Sequence, residues 1–220
     1  MPESVMRRYW KQYRWSNVFE MLKNMKNEPE RCTDSCAGKL VVITGTTSGV
    51  GYHTAREYAS MGARLLLVNR NADKSERVRS GLASEFGVPV DHIVADLSVL
   101  ADIVRVGRHL AGLEEPIDVI IHNAGLHLAS RTTTPDGLET NFALHYLAPF
   151  IMTEMLRTKF GSDRTGRILF VGSEAYRFAV WGLDLDDLQW EHRGYSGIKG
   201  YGAGKIAQLL SMHLFAKELE

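Results

Sequence analysis

The chain has 220 residues, of which 45% are hydrophobic and 24% are charged. This length and composition are typical of one sizeable globular α/β domain. Lysine and arginine together number 26, aspartate and glutamate together number 26, and the formal net charge is +0. This balance argues against nucleic acid as a partner, because general attraction to phosphate requires excess positive charge. The expected partners are small molecules or other proteins.

The cysteines and the apolar runs bear on the cellular compartment. Cys32 and Cys36 are too few for a structural zinc site and do not form a CxxC redox pair, so reduced thiols and no metal are expected. We find no stretch with the length and apolar character of a transmembrane helix, and no apolar core of a secretory signal. These features predict a cytoplasmic protein.

Residues 1–37 differ in composition from the rest and are predicted to form a basic, aromatic extension. Between Trp15 and Met25 apolar residues recur at helical spacing, which predicts an amphipathic helix that ends before Pro29. Two interpretations are open. The helix docks on its own protein, or residues 1–26 anchor the protein to a membrane surface through aromatic side chains and cations.

From Lys39 onward, short apolar runs alternate with helical patterns, which is typical of βαβ units. We therefore expect residues 38–220 to form an α/β domain with a doubly wound parallel sheet (Rossmann fold) and helices on both faces. The predicted strands are Leu40–Thr44, Arg64–Asn69, His92–Ala95, Val119–His122 and Ile168–Gly172. The predicted helices are His53–Met61, Ala72–Phe86, Val99–Ala111, Leu138–Lys159 and Tyr201–Glu218.

A glycine-rich turn follows the first predicted strand. Where side chains are absent, a dinucleotide pyrophosphate can approach the backbone N–H groups at a helix N-terminus. The residues predicted to bind a cofactor in this turn are Gly45, Thr47, Ser48, Gly49, Val50 and Gly51.

Tyr201 and Lys205 stand four residues apart, so a helix places the phenol and the ammonium group on one face. A neighbouring ammonium group lowers the pKa of a phenol from its reference value of ~10. A tyrosine in this setting can exchange protons near neutral pH. Together with the glycine-rich turn, this pair indicates hydride transfer.

These motifs, in this order, resemble those of the short-chain dehydrogenase/reductase superfamily, and the resemblance covers roughly residues 38–220. The TGxxxGxG, NNAG and YxxxK signatures correspond to Thr44–Gly51, His122–Gly125 and Tyr201–Lys205. The segments similar to the retinol-dehydrogenase and WW-domain-oxidoreductase branch are Asp136–Glu139, Tyr146–Phe150 and Ser173–Phe178.

The resemblance implies roles for individual residues. The Ser173 hydroxyl would hold a substrate carbonyl, Tyr201 would transfer the proton, and Lys205 would bind the nicotinamide ribose, while the dinucleotide supplies the hydride. Asp96 has an alternative role as the N-cap of the next helix. The resemblance also places beside the cofactor the residues Asp96, Leu97, Asn123, Ala124 and Gly125.

The second predicted strand ends in Asn69 and Arg70, both of which we expect near the cofactor. A carboxylate usually binds the adenosine ribose 2′-OH at this place, and here none is present. Arg70 instead offers a planar, permanently charged donor for a 2′-phosphate, which predicts NADP(H) in preference to NAD(H). The alternative is a solvated surface arginine.

Two features depart from the family pattern. His145 occupies the position of the asparagine that completes the family's proton relay. Imidazole can donate and accept hydrogen bonds and titrates near ~6.5, so we predict a relay through His145, with Asn141 one turn earlier as the alternative. The catalytic helix also contains three glycines near its start, Gly200, Gly202 and Gly204. Each glycine in a helix interior costs about 1 kcal/mol of stability relative to alanine. We therefore expect a locally loose helix, unless the glycines are there to let the cofactor approach closely.

Members of the family continue beyond the catalytic helix into another strand and a substrate lid, so the resemblance implies a shortened product. The fifth strand would then expose an edge that favours a homo-oligomer. The first functional hypothesis is an NADP(H)-dependent oxidoreductase that interconverts an alcohol and a carbonyl on a lipophilic small molecule. A second is a non-catalytic dinucleotide-binding or regulatory protein. A third is a membrane-associated reductase that uses residues 1–26.

Overall fold

The computed structural model of the protein describes residues 19, 22–26, 28, 32–160, 166–178 and 183–219. Most of the amphipathic helix predicted within residues 1–26 therefore lies outside the described residues. The apolar side chains of Phe19, Leu22 and Met25 are exposed. None of the helices in the described ranges has the length and apolar character that a membrane span requires.

Five parallel strands form one sheet in the spatial order β3-β2-β1-β4-β5. The strands are β1 (Leu40–Thr44), β2 (Arg64–Asn69), β3 (Val90–Val94), β4 (Val119–His122) and β5 (Arg167–Phe170). The order reverses between β1 and β4, and in open α/β sheets such a reversal opens a crevice beyond the carboxyl ends of the strands. This arrangement confirms the predicted doubly wound Rossmann fold.

Helices cover both faces of the sheet. They are α1 (Gly49–Ser60), α2 (Ala72–Phe86), α3 (Leu100–Ala111), α4 (Thr140–Phe142), α5 (Ala148–Met155) and α6 (Gly197–Glu218). A π-helical segment, Ala143–Leu147, joins α4 to α5, and single 3₁₀ turns cover Arg157–Lys159 and Glu174–Phe178.

Alternate side chains of β1 enter two separate cores. Val41 and Ile43 pack with apolar residues of α1 and α2 on one face, and Val42 packs with those of α3 and α5 on the other. Burial on both faces explains why the strands are continuous apolar runs rather than alternating ones. The strand ends, free of this packing, are left to carry polar functional groups.

The predicted bounds of β1, β2, β4 and α2 match the structure. The helix predicted over Leu138–Lys159 is found from Thr140 to Met155, but a π-helical segment at Ala143–Leu147 interrupts it. Pro149 lacks a backbone donor, and its ring crowds the carbonyl group of His145 four residues earlier. The π-helical segment ends just before this proline and widens the helix there. Helix α6 begins at Gly197, four residues earlier than predicted. Gly197 and Gly200 pack closely against neighbouring segments, and these tertiary contacts stabilise a first turn that glycine would weaken in an isolated helix.

Candidate active site

The glycines of the turn after β1 serve two different purposes. A Cβ atom on Gly45 would lie 2.8 Å from the Cα atom of Ala124, and one on Gly51 would overlap the Gly45 carbonyl oxygen and the Asn123 amide. These two glycines let the turn approach the end of β4. Gly49, with a φ of +59°, has nothing within 4 Å of the place of its Cβ atom. Its open side lies at the N-terminus of α1, where backbone N–H groups can receive an anion.

Two asparagines hold this turn in place. The Oδ1 atom of Asn69 accepts a hydrogen bond from the Thr46 N–H at 2.6 Å. The Nδ2 atom of Asn123 donates to the carbonyl oxygens of Thr44 at 3.0 Å and Gly45 at 2.9 Å. Both asparagines line the cleft as expected. Their side-chain amides, however, bond to the protein, so their first contribution is to fix the turn.

Arg70 lies at the carboxyl end of β2, with 72% of its side chain exposed. Its nearest anionic partner is the Oδ2 atom of Asp96 at 3.9 Å, and such an exposed ion pair contributes at most ~1 kcal/mol. Lys74, also exposed, follows four residues later and lines the same part of the cleft. Two exposed cations therefore face the space beyond β2.

Asp96 shapes the loop before α3 rather than capping the helix. Its Oδ1 atom accepts hydrogen bonds from the Ser98 N–H at 2.9 Å and the Ser98 hydroxyl at 2.7 Å. The orphan N–H of Leu100 in the first turn of α3 donates instead to Asp136 at 2.8 Å. The N-cap role considered for Asp96 is therefore wrong, because a residue distant in sequence supplies that acceptor.

Tyr201 lies between two imidazole rings. The centroid of its ring is 5.0 Å from that of His145 and 5.5 Å from that of His127, and both contacts are edge-to-face. His145 is buried, whereas His127 is exposed at the cleft. The phenol therefore has a dry neighbour on one side and a solvent-accessible one on the other.

Lys205 projects from the same helix, and its Nζ atom lies 5.9 Å from the centroid of the Tyr201 ring. The ammonium group donates to the Val171 carbonyl oxygen at 2.7 Å and to the Gln208 Oε1 atom at 3.1 Å. Burial lowers the pKa of Lys205 to about 8. The two acceptors fix the direction of the side chain, while the positive charge remains easily removable.

His145 is held in one tautomer by its surroundings. Its Nε2 atom lies 2.7 Å from the Leu126 carbonyl oxygen and 3.4 Å from the Leu126 N–H. We assign the proton to Nε2, because the shorter contact requires a donor there. The Nδ1 atom is buried and has no hydrogen-bond partner among the described residues. Burial, aided by the charge of Lys205, lowers the pKa of His145 to about 4. This corrects the expectation that His145 titrates near its reference value.

Asn141, the alternative relay residue, is committed elsewhere. Its Nδ2 atom donates to the Glu139 carboxylate at 3.0 Å and to the Tyr195 hydroxyl at 2.7 Å. Of the two alternatives, His145 is the one that lines the cleft. The predicted slot on the helix is therefore occupied by the imidazole.

Ser173 lies beside the cleft rather than in it. It lines an adjoining cavity of about 350 Å³ that shares Gly172 and Lys205 with the cleft. The Ser173 Oγ atom accepts a hydrogen bond from the Ala175 N–H at 3.2 Å. The structure thus brings Tyr201, Lys205 and His145 together in the cleft and places Ser173 in the adjoining cavity.

The glycines of α6 serve helix packing, which corrects the expected looseness. A Cβ atom on Gly200 would lie 2.5 Å from the Tyr195 ring, and one on Gly204 would lie 3.2 Å from the Asn141 carbonyl oxygen. These positions allow α6 to pack closely on neighbouring segments. Close approach of a cofactor is not needed to account for them.

All the residues predicted to bind the cofactor line one cleft of about 840 Å³. Leu97, for example, closes the cleft from the apolar core of the α3 face. Further residues line the cleft that the sequence did not lead us to predict. Two signals could have found some of them. Leu126 and His127 directly follow the NNAG-like motif, and Lys74 lies four residues after Arg70, one helical turn away. The missed residues include Lys74, Leu126, His127, Leu144 and Val171.

A doubly wound sheet with this cleft defines a protein of the dinucleotide-binding class. The family model for short chain dehydrogenase matches residues 39–183. The chain belongs to this family, whose members bind nicotinamide dinucleotides, which confirms the resemblance drawn from the motifs.

Three comparisons illustrate the similarity. Retinol dehydrogenase 13 of Homo sapiens is 32% identical over 185 residues, covering 83% of this chain and 54% of that protein. Polyprenol dehydrogenase of Mus musculus is 30% identical over 188 residues, with coverage of 83% and 54%. A short-chain dehydrogenase from Sphingobium yanoikuyae in complex with NADPH has a TM-score of 0.67 and 28% identity, covering 82% of this chain and 66% of that one. The chain spans about half the length of the curated relatives it matches.

Gly51→Ala tests the packing of the glycine turn. The added methyl group would overlap the Gly45 carbonyl oxygen and the Asn123 amide, so the turn must shift. We expect dinucleotide affinity, measured by calorimetric titration, to fall at least ~tenfold, which corresponds to ~1.4 kcal/mol. Gly81→Ala is the matched control, because its Cβ atom meets open space within α2. Equal affinities for the two variants would contradict the packing argument.

The buried imidazole makes a prediction about acid stability. Because the folded pKa of His145 lies below the unfolded reference of ~6.5, the unfolded chain binds more protons as the pH falls through this window, and stability is lost there. His122, with a pKa of about 3, acts in the same direction. In NMR titrations we expect the His145 ring to remain neutral at about pH 5. His145→Asn should reduce the acid-induced loss of stability. A His145 midpoint near ~6.5 would refute the assigned burial.

Proposed function

We propose that the protein is an NADP(H)-dependent oxidoreductase that interconverts an alcohol and a carbonyl group on a lipophilic small molecule. One observation carries the proposal. A single cleft contains the glycine turn after β1, the cation Arg70 after β2, and the Tyr201–Lys205 pair of α6. Membership of the short chain dehydrogenase family and similarity to an NADPH-bound dehydrogenase support it.

The residues of the cleft fit a phosphorylated dinucleotide. The open side of Gly49, at the N-terminus of α1, offers room and N–H groups for a pyrophosphate. Arg70 and Lys74 offer two exposed cations for a 2′-phosphate. Asp96 follows the third strand rather than the second, and its Oδ1 atom accepts two hydrogen bonds from Ser98 while its Oδ2 atom lies 3.9 Å from Arg70. These groups favour NADP(H) over NAD(H).

The dinucleotide, when bound, would supply or accept the hydride. Tyr201 would donate the proton to the substrate oxygen during reduction and remove it during oxidation. Lys205, held by Val171 and Gln208, would keep its ammonium group near the Tyr201 ring and bind the nicotinamide ribose. Ser173 would donate a hydrogen bond to the substrate oxygen where the cleft and the adjoining cavity meet, beside Gly172 and Lys205.

His145 would act as a fixed acceptor rather than as a proton carrier. A histidine relay requires one ring nitrogen to gain a proton while the other releases one. The Nε2 proton of His145 faces the Leu126 carbonyl oxygen, which cannot take it, so only Nδ1 is available. We infer that Nδ1 accepts a hydrogen bond from a donor in the cleft, such as an ordered water molecule. This revises the relay predicted through His145.

The substrate class rests on relatives. The names of two proteins similar to this chain specify retinol and polyprenol, which are long apolar alcohols. A lipophilic substrate is the simplest extension to this chain. Retinoids and aliphatic aldehydes are therefore the first compounds to assay.

A second candidate function is dinucleotide binding without turnover. It is favoured by His145, because an imidazole in a fixed tautomer stands where the family pattern has an asparagine. In this case the protein would report NADP(H) levels or bind a partner in response to them. Binding of NADPH without reduction of any carbonyl compound would distinguish this function from the first.

Arg70→Asp tests the choice of cofactor. The variant replaces a positively charged hydrogen-bond donor to the 2′-phosphate with a carboxylate that repels it. NADPH affinity should therefore fall at least ~tenfold, while NADH affinity changes much less. Calorimetric titration of both cofactors measures the difference. Arg77→Asp on the exposed side of α2 is the charge-matched control and should leave both affinities unchanged. Equal losses for the two cofactors would overturn the assignment.

Tyr201→Phe tests the proton donor. Only the hydroxyl group is removed and the ring contacts with His127 and His145 can persist, so NADPH affinity should change little. Carbonyl reduction should fall by at least ~100-fold, within the range that general acid catalysis contributes. Lys205→Ala should impair both binding and turnover. Residual activity of Tyr201→Phe close to that of the wild type would disprove the role.

A further inference from the structure

Glu139 is a buried carboxylate that the proposed chemistry does not use. Its Oε2 atom accepts the Phe142 N–H at 2.7 Å, and its Oε1 atom accepts the Asn141 N–H at 3.1 Å. These are orphan donors of the first turn of α4, where a negative charge is favourable. Oε1 also accepts the Asn141 Nδ2 at 3.0 Å and the Tyr195 hydroxyl at 3.1 Å. Because a buried charge is costly without such partners, these bonds define its position closely.

Tyr195 connects this carboxylate to the catalytic helix. Its hydroxyl donates to Glu139 and accepts from the Asn141 Nδ2 at 2.7 Å. Burial, and next the charge of Glu139, raise the pKa of Tyr195 to about 12, so the phenol remains a donor throughout the physiological range. Its ring packs on Gly200, where a Cβ atom would lie only 2.5 Å away. Gly200 is the residue immediately before Tyr201.

The segment that carries Tyr195, residues 183–195, is itself tied down, and we call it the strap. The Gln189 side-chain Oε1 atom accepts a hydrogen bond from the Glu139 N–H at 2.7 Å, and the Gln189 backbone carbonyl oxygen accepts one from the Arg131 Nε at 2.8 Å. Trp190 is buried at a φ of 58°, a conformation that is unfavourable for a bulky residue and persists only where its surroundings enforce it. The Arg193 guanidinium stacks over the Trp190 ring at 3.6 Å. The strap is therefore held to Glu139 by two of its residues, Gln189 and Tyr195, and to Arg131 by a third hydrogen bond.

We propose that Glu139 and Tyr195 are positioning residues that set where Tyr201 lies relative to His145. The inference rests on the proposed function. Glu139 fixes the beginning of the α4 and π-helical segment that carries His145, and Tyr195 fixes the turn of α6 that carries Tyr201. Their hydrogen bond is thus a direct link between the two sides of the Tyr201–His145 contact. Neither residue lines the cleft, so they act through the groups that do.

Tyr195→Phe is the sharpest test, because it removes one oxygen atom and keeps the ring on Gly200. With NADPH and an apolar aldehyde, we expect kcat to fall ~10–100-fold, as misplacement of about 1 Å can cost ~100-fold. The NADPH dissociation constant should stay within about twofold and the urea midpoint should change little, since one partly buried hydroxyl is lost. The pH profile of kcat should shift, because the Tyr201 phenol then lies at a different distance from the buried imidazole of His145. The deuterium isotope effect from labelled NADPH should rise.

Tyr58→Phe is the matched control, because Tyr58 lies in α1 against the opposite core and outside the cleft. Glu139→Gln keeps the shape of the side chain, and in a double-mutant cycle its effect on kcat should be non-additive with that of Tyr195→Phe. If Glu139→Gln fails to fold, Tyr195→Phe decides alone. An active wild type whose Tyr195→Phe variant matches Tyr58→Phe overturns the positioning role only. A wild type that binds NADPH and reduces no carbonyl overturns the proposed function and this inference with it.

Discussion

The hydroxyl group of Thr44 joins the two loops on which the cleft depends. Buried at the end of β1, it accepts hydrogen bonds from the N–H groups of Asn123 at 3.0 Å and Ala124 at 2.9 Å. Because β1 and β4 are neighbours where the strand order reverses, this contact spans the crevice of the sheet. Gly45 and Gly51 then remove the side chains that would hold the loops apart. The glycine-rich turn after β1 and the NNAG-like loop after β4 are therefore held together as one unit.

Around this unit, buried ionisable side chains are each directed by protein groups. Lys205 is held by a backbone carbonyl oxygen and Gln208, His145 by the carbonyl oxygen of Leu126, and Glu139 by two backbone N–H groups. In a medium of low dielectric constant an unpaired charge or dipole is costly, so such partners fix both orientation and protonation. Perturbed pKa values also cluster at functional sites, as the values of Lys205 and His145 illustrate.

Helix α6 shows how tertiary packing overrides local preference. Its glycines weaken an isolated helix, yet Gly200 receives the Tyr195 ring and Gly204 receives the backbone of Asn141. Close packing requires glycine at these positions, although glycine lowers helix propensity. This packing brings the ring centroid of Tyr201 to 5.0 Å from that of His145. The strap adds a second constraint on the same turn. The Tyr201–His145 contact is thus linked to residues that do not line the cleft.

The local sequence pattern was enough to predict the parallel sheet, the glycine turn, the cation after β2 and the Tyr201–Lys205 pair. Each of these depends on spacing within a few residues. Parallel strands also all end at one edge of the sheet, so residues that follow them are expected to lie there. Only the tertiary structure decided the rest. Asn69 and Asn123 bond to the turn, burial makes His145 a poor base, and Glu139 meets Tyr195. These outcomes depend on desolvation and on contacts between residues far apart in sequence. No local periodicity encodes them, because the same residue types would behave differently if exposed.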